Sequence, residues 1–158
     1  MIKKIIKLLL IVLWMGVIFS FSSDTGKVST QKSDGFIIRV VQTILNKDLS
    51  SEEKEKWTTY FVKPVRKGAH LGVYLILGIL IINYVSEYLV INSRSILISL
   101  FLSFLYAWSD EIHQLLVPGR SGQITDVLLD TFGALIGILL FTLIVRKCFK
   151  SEQKERIS

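Results

Sequence analysis

The sequence has one cysteine and two prolines in 158 residues, and only 20% of it is charged. A single thiol excludes a disulfide framework and a cysteine-rich zinc module. There is no Walker loop and no dinucleotide fingerprint, so nothing in the chain asks for a cofactor. The two histidines, His70 and His113, do not stand at i and i+4, and Asp110 with His113 is half of a di-iron pattern whose other half is missing, which argues against a metal site. What is abundant is hydrocarbon: 51% of residues are apolar and the mean hydropathy is +0.51. That excludes a disordered chain and is high for a soluble domain, whose elements interleave polar and apolar residues. The balance of 19 Lys and Arg against 13 Asp and Glu, +6 overall, fits membrane anchoring better than nucleic-acid binding.

Four runs carry no charge: Leu8–Ser23, Gly68–Ser86, Ser95–Ser109 and Thr131–Val145, of 16, 19, 15 and 15 residues. A spanning helix needs about 20 residues to cross about 30 Å of hydrocarbon. The last two runs are too short by themselves, since 15 residues at about 1.5 Å rise give about 22 Å. Each must borrow polar neighbours. The third extends through Asp110, Glu111, His113 and Gln114, and the fourth extends backwards through Asp130 and Asp126. Helices joined by a short loop run antiparallel, so these ends share one side. The start of the second helix, with Arg66, Lys67 and His70, lies there too. The expected spans are 5–22, 68–86, 95–116 and 124–145, in one all-α, single-domain membrane bundle over residues 1–158. The basic start and small residues Ser20 and Ser22 leave a cleaved signal peptide as an alternative for the first run.

Orientation is nearly balanced. With the N-terminus inside, nine Lys and Arg fall inside and ten outside, but nine of those ten are spread over a segment with six acids. Basic residues cluster instead at the terminal helix ends, which favours cytoplasmic termini and an external polar face. The basic tail, including Arg146, Lys147 and Lys150, suits anionic membrane lipids. Cys148 sits among these residues as an inert thiol or an acylation site.

Residues 24–67 hold amphipathic signals. Ser33 can cap a helix with Phe36, Ile37, Val40, Val41, Ile44 and Leu45 on one side. Ser50 and Glu53 form a capping box, and Pro64 fits the first turn of the next helix. Two short interfacial helices result, either a plain cover for the bundle or a lid over its polar face.

The polar residues fall on shared helical faces. Arg66, His70 and Tyr74 are spaced at four, with Lys67 alongside; Asp110, His113 and Gln114 stand at i, i+3 and i+4; Asp126 and Asp130 stand at i and i+4. Gly133 and Gly137 give a small-xxx-small packing motif. Pro118-Gly119-Arg120-Ser121-Gly122 is a tight turn that either only turns or presents N–H groups, Arg120 and Ser121 to an anion. Ionisable residues at membrane depth mark function unless they merely fix the bundle.

These residues resemble the VanZ-like family, named for a teicoplanin-resistance protein of Gram-positive bacteria. The matching pieces are Phe19-Ser20-Phe21-Ser22-Ser23-Asp24, then Arg66-Lys67-Gly68-Ala69-His70 with Tyr74, then Asp110-Glu111-Ile112-His113-Gln114, and finally Pro118–Gly122 followed by Asp126, Asp130, Thr131 and Gly133. Asp24 stands where the family usually has Gln. The resemblance implies a four-helix, multi-pass protein of the bacterial cell envelope and cell membrane, with some members associated with low-level teicoplanin (lipoglycopeptide) resistance. Three activities are expected as alternatives. One is binding of a lipid-linked or glycolipid headgroup at an external pocket by Arg66, Lys67, Tyr74, Gln114, Arg120 and Ser121. The second is an enzyme on a lipid phosphate or pyrophosphate, using His70 or His113 with Asp110, Glu111, Asp126 or Asp130. The third is a proton-linked transporter, disfavoured by only four helices and no inverted repeat.

Overall fold

The computed structural model describes residues 1–120 and 122–155; Ser121 lies outside them. Five helices follow in order: α1 (Ile2–Ser22), α2 (Gly26–Leu45), α3 (Ser51–Val85), α4 (Ser93–Leu115) and α5 (Ile124–Glu155). All except α2 contain a window long and apolar enough to cross a membrane. Their outward faces carry Leu13, Leu97, Leu128 and Leu143 largely exposed, a surface matched to hydrocarbon rather than water.

Helix starts are set by side chains. Thr25 accepts from Val28 N and opens α2. The Ser50 hydroxyl accepts from Glu53 N at 3.3 Å while the Glu53 carboxylate accepts from Ser50 N at 3.0 Å. Asn92 caps α4 through the backbone of Arg94 and Ser95. Asn46, at φ 49°, ends α2 in the left-handed conformation that asparagine tolerates.

Two local readings of the 24–67 segment change. α2 begins well before Ser33, whose hydroxyl donates to Ser29 O inside the helix rather than capping it. The helix opened by the Ser50–Glu53 box does not stop before Pro64. It runs on as α3 for 35 residues, about 52 Å at helical rise. Proline removes one i→i−4 bond, and the turns on both sides hold the helix through the gap. The 24–67 segment is therefore α2 packed on α3 rather than two short helices. Ile37 of α2 and Leu49 of the connection are buried there.

α3 and α5 form the axis of the bundle. Their backbones touch: a methyl placed on Gly137 would stand 2.0 Å from Leu75 O, and one on Gly78 2.2 Å from Ala134 O. α4 buries Ser95, Ser99, Ser103 and Ala107 in one stripe. Ser99 and Ser103 satisfy themselves by donating to the carbonyl four residues back, each at 2.9 Å. Midway along α1 two directed bonds tie it on. Trp14 Nε1 donates to Val73 O at 2.8 Å, and the Tyr106 hydroxyl donates to Met15 O at 2.6 Å. At the far end, Lys7 donates to Glu87 and to Asn83 O.

Candidate functional site

The end of α1, the second half of α4, the start of α5 and the middle of α3 meet at one end of the bundle. The polar residues there fall into three groups.

The first is a chain of hydrogen bonds. Ser22, the last residue of α1, is fully buried and donates to Asp110 Oδ2 at 2.8 Å. Gln114, one turn beyond Asp110, donates to the same oxygen at 3.1 Å. Gln114 Oε1 in turn accepts from Arg120 at 3.0 Å. Two other Arg120 donors reach Phe21 O at 2.9 Å and Asp24 O at 2.8 Å. Phe21 O belongs to the last turn of α1, where a cation is favoured, and Asp24 O lies just beyond its cap. Arg120 thus staples the α4–α5 turn to α1. Gly26 N donates to Pro118 O at 3.2 Å beside it, and a side chain at Gly26 would strike Gly119 O. Burial, and after it the charge of Arg66, lower the Arg120 guanidinium from its ordinary value.

The second group is deeper. His70 Nδ1 faces Asp130 Oδ2 at 3.6 Å, and Asp130 is 1% exposed. Tyr74, one turn along α3, is completely buried against Tyr106. Among the described residues, His70 Nδ1, the Tyr74 hydroxyl, Asp110 Oδ1 and Asp130 Oδ1 are buried without a hydrogen-bond partner. Four such atoms in one cluster are costly to a fold and are the kind of arrangement a functional site maintains.

The third group secures α5. Lys67 pairs with Asp126 at 3.3 Å. Glu111 accepts from Gln123 N, placing a carboxylate at the positive start of the helix. His113 belongs to neither the acid cluster nor α5. It stacks on Phe19 with ring centroids 4.3 Å apart, and its Nε2 lies 3.2 Å from Ser23 Oγ. The two histidines therefore have separate surroundings.

Beside these groups opens a cavity of about 530 Å³. Its polar wall includes Ser22, Asp24, Lys32, Arg66, His70 and Arg120, with Ser29 and Ser33 of α2 beside them; Ile18, Phe21, Phe36, Val65 and Val73 supply much of the rest. Of the residues singled out in the sequence, Arg66, His70 and Arg120 line it. Asp110, Asp130, Tyr74 and Gln114 stand in the network behind, and Lys67, Glu111, Asp126 and His113 hold neighbouring elements. Ser121 is outside the described residues. Among the described residues no group of three His, Cys, Asp or Glu is placed to hold a metal ion.

Sequence reasoning gives no role in a cavity wall to Ser22, Ser29 or Lys32. Ser22 is visible as a small residue closing the first run and as part of the Phe19–Asp24 string. Lys32 has no sequence signal, being one lysine on a polar helix; it pairs with Asp24 at 2.6 Å. The Asp24 carboxylate is thereby engaged, while Arg120 uses only the backbone carbonyl at that position.

Residues 7–145 match the family described as VanZ/LLP1, nearly the whole chain. Neither the curated proteins nor the solved structures gave a match. The chain belongs to the VanZ/LLP1 family and has its membrane-protein architecture.

Proposed function

We propose that the protein sits in the bacterial cell membrane with both termini cytoplasmic, and that its outward-facing cavity binds the headgroup of an envelope amphiphile. Through that binding it contributes to low-level tolerance of teicoplanin-type lipoglycopeptides. The observation that carries this reading is a half-open cavity where Arg66 and His70 stand beside an apolar wall, backed by buried and partly unpartnered Asp110 and Asp130. Cationic and hydrocarbon surfaces side by side suit a molecule with an anionic head and an apolar tail. Deleting the gene is expected to lower the inhibitory concentration of teicoplanin, and Arg66→Ala is expected to reproduce the deletion. Unchanged susceptibility in both strains contradicts the resistance role. Orientation is read from Cys148, the sole thiol, which an impermeant thiol reagent should leave unlabelled on intact cells.

A second reading, an enzyme on a lipid phosphate or pyrophosphate, draws on the His70–Asp130 pair. An imidazole at the cavity wall with a carboxylate behind it is an arrangement suited to general acid–base work. Phosphate release from lipid pyrophosphates by the purified protein, lost in His70→Gln, is its expected signature. No release, with or without divalent metal, counts against it.

A further inference from the structure

Most cations around the cavity are already engaged. Lys32 pairs with Asp24, Lys67 with Asp126, and Arg120 holds Phe21 O, Asp24 O and Gln114. Arg66 is half-buried in the cavity wall and makes no hydrogen bond or ion pair among the described residues. Its charge acts on Arg120, a like charge close enough to repel it. Two guanidinium groups beside one space, one with its donors uncommitted, attract an anion, and the planar fork matches phosphate.

The cavity's other side is hydrocarbon. Phe36 of α2 and Val65 and Val73 of α3 continue its wall, and Phe36 is 59% exposed. α2 packs on α3 but has no substantial contact with α1, which leaves a gap between α1 and α2. That gap lies beside Gly68 and Ala69, where the uncharged run of α3 begins. A soluble anion gains nothing from such a wall, whereas an acyl chain does.

We propose that the cavity takes a phosphate-bearing lipid from the surrounding bilayer. Arg66 anchors the phosphate, and an acyl chain lies along Phe36, Val65 and Val73 and leaves between α1 and α2. This rests on the cavity being the binding site and names its ligand class.

The test titrates the full chain, purified in neutral detergent, with dioctanoyl phosphatidic acid, dioctanoylglycerol and inorganic phosphate, followed by calorimetry. Phosphatidic acid is expected to bind, and the other two to bind at least roughly tenfold more weakly. Arg66→Gln is expected to weaken phosphatidic acid about tenfold. Ala69→Trp, which crowds the wall without changing charge, is expected to weaken it as well. Arg94→Gln, at the opposite end of α4, is expected to change nothing. Thermal unfolding checks each variant, and Arg66→Lys, retaining charge without the fork, should bind at an intermediate level if Arg66→Gln does not fold. Equal binding of inorganic phosphate makes this a soluble-anion site and overturns the proposal. No binding of phosphatidic acid, or full binding by Arg66→Gln, overturns it also. Failure of the resistance reading looks different: lipid binding persists while gene deletion leaves teicoplanin susceptibility unchanged.

Discussion

Ser22 Oγ donates to Asp110 Oδ2 at 2.8 Å, joining the last residue of α1 to a carboxylate buried in α4. Gln114 shares that oxygen, and Asp110 Oδ1 has no hydrogen-bond partner among the described residues. Removing one of two donors from a buried carboxylate leaves it under-solvated. Ser22→Ala is therefore expected to destabilise the bundle by about 1 kcal/mol, within the range for hydrogen bonds in membrane proteins. Denaturant unfolding of the purified variant measures it. Asp110→Asn should be tolerated better than Asp110→Ala, which strands both donors.

Arg120 and Arg66 should separate by phenotype. Arg120 bridges three acceptors, on α1, on the connection after it and on α4, so Arg120→Ala is expected to cost about 2 kcal/mol of stability. Arg120→Lys should not restore it, since an ammonium lacks the fork that spans these acceptors. Arg66→Ala should leave the unfolding midpoint nearly unchanged and affect ligand binding. Thermal unfolding alongside lipid titration reads both.

Close contact between α3 and α5 sets a sharp steric prediction. A side chain at Gly137 meets Leu75 O, while a methyl at Gly16 has nothing within 4 Å. Gly137→Leu is expected to destabilise by about 3 kcal/mol or more, and Gly16→Leu to be near neutral. Yield and unfolding in detergent distinguish them.

The Lys7–Glu87 bond at the other end predicts a pH dependence. The hydrogen bond from Lys7 holds the Glu87 carboxyl below its ordinary value. A depressed folded value means the contribution is present above the carboxyl's unfolded pKa and is lost as pH falls through the folded one. Glu87→Gln should flatten that acid limb of the thermal midpoint, with little change in relative stability between folded variants at still lower pH.

Much of this architecture is legible in the sequence, for identifiable reasons. Uncharged runs find the four spans, and two runs too short to cross hydrocarbon show that α4 and α5 must carry their acids at helix ends. Antiparallel connectivity then puts Asp110 near Asp126 and Asp130. The continuity of α3 through Pro64 is not legible, because a local proline signal is outweighed by the helix on either side. Nor is the Thr25 start of α2, where a serine eight residues later gives an equally good local signal. The separation of His70 from His113 depends on helix rotation, which heptad-scale spacing leaves undetermined. Arg120's bonds to α1 carbonyls have no side-chain partner to betray them.

The most direct test of the shared polar end is proximity of His70 and Asp130, which face each other at 3.6 Å. In a Cys148→Ser background, His70→Cys with Asp130→Cys is treated with a short thiol-bridging reagent in folded, detergent-solubilised protein. An intramolecular cross-link far above that of a His70→Cys, Arg94→Cys control pair is the predicted result. Equal, negligible cross-linking in both pairs would contradict the arrangement.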